Sequence, residues 1–170
     1  MTMSEHENKA KFDYGVIVAS DSRSAGINED KSLVCFQEAM PENYKLTYSR
    51  IVPDRVEAIQ EAIKDLVDGE KLPLLFTTGG TGFSPRDVTP EATLPLLDRQ
   101  TPGLSEAIRL VSREKTPMWM LSRAVSGIRS GCLIINLPGS PKAIKESIEA
   151  ILPALGHGLE ILTGSFTQHE

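Results

Sequence analysis

The sequence predicts an alternating α/β fold around a mostly parallel, mixed central sheet. Compact apolar runs at 14–19, 74–76 and 132–137 read as buried strands. Between them lie segments whose apolar residues recur at helical spacing, joined by tight connections. Two of the runs end in glycine-bearing loops that lead into proline-started helices.

In chain order, the run Tyr-Gly-Val-Ile-Val-Ala at 14–19 opens into the polar loop Ser20-Asp21-Ser22-Arg23-Ser24-Ala25-Gly26. A ligand crevice forms at such a position when the strand is parallel, although turn chemistry alone also accounts for Asp21 and Ser22. Asp30 can cap a helix with Leu33, Val34, Phe36 and Met40 on its apolar face. Residues 45–52 read as a more polar strand near a sheet edge. Asp54, with Glu57 three residues on, matches a capping box ahead of Val56, Ile59, Ile63, Leu66 and Val67, and on this pattern capping explains Asp54.

Pro102-Gly103 starts a helix through Leu104, Ala107, Ile108, Leu110 and Val111. After Pro117 the patch Met118-Trp119-Met120-Leu121 is expected to be packed, with Trp119 a partly buried core or interface residue. Residues 124–129 and 132–137 read as antiparallel strands joined at Ser130-Gly131, which makes the sheet mixed. From 143 to 162 the pattern is helical, with Ile144, Ile148, Ile151, Leu152 and Leu155 on the apolar side and an interruption at Pro153. The expected organisation is a flexible segment at 1–12, one domain over 13–164 and a frayed end at 165–170.

Chemistry concentrates after the run at 74–76, in Thr78-Gly79-Gly80-Thr81-Gly82. Closely spaced glycines let backbone N–H groups approach an anion, and Thr89-Pro90 reads as the N-cap and first position of a helix. The loop is no nucleotide P-loop, because no lysine occurs between Lys71 and Lys115, and its glycines do not have the dinucleotide spacing. A second loop, Pro138-Gly139-Ser140-Pro141-Lys142, repeats the plan, with Ser140 as cap. If the two strands are neighbours, both helix starts point at one crevice, to which Lys142 adds a full charge.

Composition narrows the classes. The 170 residues are 40% hydrophobic and 24% charged, ordinary globular values. A net charge of −5 argues against a general nucleic-acid binder but leaves room for an anionic small ligand. Cys35 and Cys132 read as reduced core thiols of a cytoplasmic protein. His6, His157 and His169 are too scattered for a histidine metal site. No signal-peptide core and no apolar run long enough to span a membrane is present, so no membrane association is expected.

Thr78-Gly79-Gly80-Thr81-Gly82, Arg86-Asp87-Val88-Thr89-Pro90-Glu91-Ala92-Thr93, Leu121-Ser122-Arg123, Gly127-Ile128-Arg129 and Ile135-Asn136-Leu137-Pro138-Gly139-Ser140-Pro141-Lys142 together resemble the molybdopterin adenylyltransferases of molybdenum-cofactor synthesis. The likeness runs from about 14 to 162. It implies a three-layer α/β/α sandwich, commonly a homotrimer, that transfers AMP from ATP to the terminal phosphate of molybdopterin. The resemblance further implies release of pyrophosphate and Mg²⁺ as the cofactor.

The resemblance carries roles to single positions. Asp54 and Asp87 match the two aspartates on which the reaction depends, as catalytic residues and metal ligands. Asp21, Ser22, Thr78, Gly79, Gly80, Thr81, Gly82, Arg86, Asn136, Pro138, Gly139, Ser140, Pro141 and Lys142 match the substrate-binding positions. For Ser140 a backbone role is expected more than a side-chain one. Arg86, Arg123 and Lys142 can clamp phosphate oxygens, and carboxylates are the usual hard ligands for magnesium. Expected partners are ATP, molybdopterin and a downstream metal-insertion enzyme. The alternative is a non-catalytic pterin-binding or carrier protein of the same fold; the intact Arg86-Asp87 pair favours the enzyme.

Overall fold

The computed structural model describes residues 12–165. The run at 14–19 lies in β1 (Phe12–Ala19), followed by the one-turn helix α1 (Asp21–Ser24) and by α2 (Ser32–Ala39). The polar strand is β2 (Tyr44–Val52), and α3 (Val56–Lys64) continues as a π-helical turn, Asp65–Gly69. Next come β3 (Leu74–Thr78), the short α4 (Thr89–Thr93), β4 (Arg99–Gln100) and α5 (Pro102–Arg113). The hairpin β5 (Ser126–Arg129) and β6 (Cys132–Leu137) leads into the long α6 (Pro141–Thr163).

The strands form one sheet in the order β2-β1-β3-β6-β5-β4. The pairs β1/β2, β1/β3 and β3/β6 are parallel, while β5/β6 and β4/β5 are antiparallel, so the mixed sheet is as expected. Alternate strand residues face opposite layers, because the side-chain period of a strand is two. Tyr14, Val16, Phe76, Ile135 and Leu137 pack with Phe36 of α2 and Ile144, Ile148, Ile151 and Leu155 of α6. Ile17, Leu75 and Ile134 pack with Ile59, Ile63 and Ala92 on the other side. Helices thus cover both faces, which makes the three-layer sandwich.

Several local expectations differ from the structure. The expected flexible segment at 1–12 lies outside the described residues except for Phe12, which is buried at the start of β1. The expected fraying at 165–170 lies outside them except for Ser165, whose N–H donates to the Glu160 carbonyl. The helix at 143–162 is not interrupted: α6 runs through Pro153. An internal proline costs about 3 kcal/mol. Burial of Ile144, Ile148, Ile151, Leu155 and Leu159 offsets it at roughly 1.5–3 kcal/mol per side chain.

The patch at 118–121 is packed only in part, through Trp119, which is half-buried as expected of it. It forms a 3₁₀ turn, Pro117–Leu121, with Met118 and Met120 each 63% exposed and Trp119 only partly covered. Apolar character alone could not say whether this short turn would meet the core.

Candidate active site

The chain order reverses between β1 and β3. The connection after β1 leads to β2 on one side, and the connection after β2 returns to β3 on the other. A crevice opens at the carboxyl ends of strands at such a point. The loop at 20–26 and the glycine loop at 79–82 both leave their strands there. Gly79 has φ +90°, and a Cβ on it would lie 2.5 Å from the Ala19 carbonyl oxygen. Gly80 has φ +69°, and a Cβ there would run into the Thr89 hydroxyl. Close approach of backbones, together with positive φ, therefore requires glycine at both positions.

The second loop is fastened to the first. β3 and β6 are adjacent, as the doubled loop-helix plan required. The Gly79 N–H donates to the Leu137 carbonyl at 3.1 Å, and the Thr78 hydroxyl donates to the Pro138 carbonyl at 2.7 Å. A Cβ on Gly139 would stand 3.2 Å from Gly79 Cα. The expected doubling of helix ends is reduced, however. Only α6 is long enough to carry a substantial dipole, since α4 has five residues.

Both acidic side chains lie against the glycine loop. An ideal Cβ on Gly80 would be 3.5 Å from Asp54 Oδ1, and one on Gly82 would be 2.9 Å from Asp87 Oδ2. The expected capping box is absent: α3 has no side-chain cap, and Asp54 Oδ2 accepts the Asp21 N–H at 3.0 Å instead. In return Asp21 Oδ1 accepts the Asp54 N–H at 2.9 Å. Asp87 Oδ2 accepts the Ser84 N–H at 3.0 Å, and Arg86 Nη1 reaches Asp21 Oδ2 at 2.9 Å. Desolvation at this partly buried position pushes the Asp54 carboxyl above its ordinary range. The Asp21 N–H and Arg86 pull it down, and the Asp21 and Asp87 charges push it further up.

Beneath the loop runs a buried polar network that sequence reasoning missed. The Thr89 hydroxyl donates to the Gly79 carbonyl at 2.9 Å, so Thr89 is the first residue of α4 and not its cap. The Thr93 hydroxyl donates to the Thr89 carbonyl at 2.8 Å. Asn136 Nδ2 donates to the Thr93 and Thr77 hydroxyls at 3.1 and 2.8 Å, and its Oδ1 accepts the Val125 N–H at 3.2 Å. Asn136, Thr77, Thr89 and Thr93 are all fully buried. The Asn136 side chain therefore supports the site from below, whereas the resemblance implies contact with substrate. The available signal is a pair of polar residues inside apolar strands, Thr77 opposite Asn136.

Other expected contacts are also redistributed. Arg123 donates through Nε to the Gly82 carbonyl at 2.8 Å and through Nη2 to the Asp87 carbonyl at 2.7 Å, and it pairs with Glu91. It braces the glycine loop, whereas Arg86 reaches Asp21 and Lys142 lies 83% exposed. Thr81, largely buried, joins this brace by accepting the Arg123 backbone N–H. Ser140 is the cap of α6, accepting the Ala143 N–H at 3.2 Å, and Pro141 takes the first helical position. The Ser22 hydroxyl accepts from Asn28 Nδ2 at 3.0 Å within its own loop. Lys142, in the first turn of α6, is 83% exposed and 3.9 Å from Glu146.

Among the described residues, no three His, Cys, Asp or Glu side chains make a metal site by themselves. Asp54 and Asp87 nevertheless suit magnesium, which commonly takes one or two carboxylates together with substrate phosphates and water. Asp54 carries surplus negative charge from Asp21 and Asp87 with Arg86 as the opposing cation, so a divalent ion beside it is electrostatically favourable.

Fold and site thus define an α/β protein with two linked glycine loops at a sheet switch point and two carboxylates beside them. A family described as a probable molybdopterin binding domain matches residues 15–157, and the chain belongs to that family. A curated protein named molybdopterin adenylyltransferase from Helicobacter pylori is 41% identical over 158 residues, covering 91% of this chain and 89% of its own. One of the same name from Escherichia coli K12 is 41% identical, covering 84% and 75%. The molybdopterin biosynthesis enzyme MoaB from Thermus thermophilus superposes with a TM-score of 0.86 at 45% identity, covering 90% of this chain and 97% of that one.

Proposed function

We propose that the chain is a molybdopterin adenylyltransferase. An oxygen of the terminal phosphate of molybdopterin attacks the α-phosphorus of ATP. The bond from that phosphorus to the bridging oxygen breaks, pyrophosphate leaves, and adenylyl-molybdopterin remains. The observation that carries the reading is the convergence of Asp54 and Asp87 on one glycine loop. It is supported by like-named relatives aligned over most of their length.

In this reading the N–H groups of the two loops and the start of α6 receive phosphate oxygens, while Arg86 and Lys142 add full charges. Asp54 and Asp87 would hold Mg²⁺, which when bound would neutralise charge on the reacting phosphates. The brace from Arg123 and the network through Asn136 keep the loop in place, so little reorganisation is needed as charge develops. We further infer a cytoplasmic homotrimer whose product passes to a metal-insertion enzyme; exposed Met118, Met120 and Leu121 offer apolar surface between copies.

The test is pyrophosphate release with ATP, molybdopterin and magnesium. Release is expected only when both substrates are present. Asp87→Asn is expected to lower turnover by about 100-fold or more while ATP still binds. Release from ATP alone, or unchanged turnover in the variant, sinks the reading. Light scattering checks the assembly.

A further inference from the structure

Every polar atom of Asp21 has a protein partner, and two of those partners are site residues. Its N–H donates to Asp54 Oδ2 at 3.0 Å, and its Oδ1 accepts the Asp54 N–H at 2.9 Å. Its Oδ2 accepts from Arg86 Nη1 at 2.9 Å, and its carbonyl accepts the Ala25 N–H at 3.1 Å. Asp21 and Asp54 thus clasp each other across 33 residues of chain, and this leaves Asp54 Oδ1 on the Gly80 side. The guanidinium of Arg86, 75% exposed, is meanwhile held by a carboxylate of the opposite loop. A phosphate needs that same guanidinium, so it must compete with Asp21 for it.

We propose that Asp21 is a positioning residue: it sets the orientation of the Asp54 carboxylate and parks Arg86 across the crevice until a substrate phosphate draws the guanidinium away. The inference rests on the adenylyl-transfer reading and goes beyond it, because it moves Asp21 from substrate contact to control of two other residues. Holding Arg86 weakens nucleotide binding a little, since an exposed ion pair is worth little, while ordering Asp54 supports turnover. The two effects have opposite signs and separate in experiment.

ATP binding is measured by calorimetry in EDTA, in the full chain, for the wild type, Asp21→Asn, Arg86→Ala and the double variant. Asp21→Asn is expected to tighten ATP binding by about two- to five-fold, and the gain should vanish when Arg86 is already alanine. In steady-state assays Asp21→Ala, which loses the acceptor for the Asp54 N–H, is expected to lower kcat by about ten-fold or more. Asp21→Asn keeps an oxygen there and should lose clearly less. Weaker ATP binding in Asp21→Asn, a gain that survives in the Arg86→Ala background, or equal kcat losses in the asparagine and alanine variants would overturn the proposal. A wild type that binds ATP but never adenylylates molybdopterin would defeat the functional reading instead, and the binding cycle would still decide the link between Asp21 and Arg86.

Discussion

The hydroxyl of Thr89 donates to the carbonyl oxygen of Gly79, ten residues earlier, at 2.9 Å. The Thr89 N–H also donates to the Gly80 carbonyl at 3.1 Å, so one residue pins the two successive positive-φ glycines of the loop. Thr89→Val keeps the shape and removes only the hydroxyl bond. The expected cost is about 1–2 kcal/mol in urea unfolding, with a larger relative loss of turnover, because the loop N–H groups are no longer aimed.

Asn136 is the hub below that loop. Asn136→Leu has nearly the right volume but leaves the Val125 N–H and two threonine hydroxyls without their partner in the dry interior. A loss of about 3 kcal/mol in chemical denaturation is expected, and Asn136→Asp should not restore the Nδ2 donations to both threonines.

Asp54 sets function against stability. Its folded-state carboxyl lies above the ordinary range, chiefly through desolvation. A raised carboxyl binds more protons in the folded state than in the unfolded one. Its contribution to stability is therefore greatest in acid, declines as pH rises through the ordinary carboxylate range to the raised value, and is flat above it. Asp54→Asn removes the desolvated charge, so a higher Tm at pH 7 with severe loss of adenylylation is expected. The Tm gain over wild type should shrink towards pH 4. An equal gain at both pH values would refute the charge explanation.

The two cysteines should be silent. Both are buried, and burial pushes the Cys132 thiol up to about 12. A thiol reagent such as dithionitrobenzoate is expected to label neither in native buffer and both after unfolding, as absorbance at chain-equivalent stoichiometry would record.

Much of this is legible in the residues. The apolar strands, the polar edge strand, the Ser140-Pro141 start of α6 and the Ser130-Gly131 hairpin follow from local chemistry, because each rests on interactions within a few residues. The glycine loop is legible for the same reason. Asp54 is not, since capping α3 and reaching Asp21 are equally open to a short carboxylate, and only the parallel pairing of β1 with β2 selects the second. The charge of Arg123 points to phosphate but says nothing of the bonds to Glu91 and two carbonyls that the folded chain brings to it. Pro153 and the turn at 117–121 escape a local reading because tertiary packing outweighs helix propensity in one case and leaves apolar side chains uncovered in the other.

The longest helix begins beside the crevice and runs 23 residues to its left-handed cap at Gly164. At 1.5 Å per residue its far end is about 34 Å from the glycine loops. A tether or fluorophore attached at Gly164 is therefore held far from the glycine loops, and the protein can be immobilised there for single-molecule or surface-binding work.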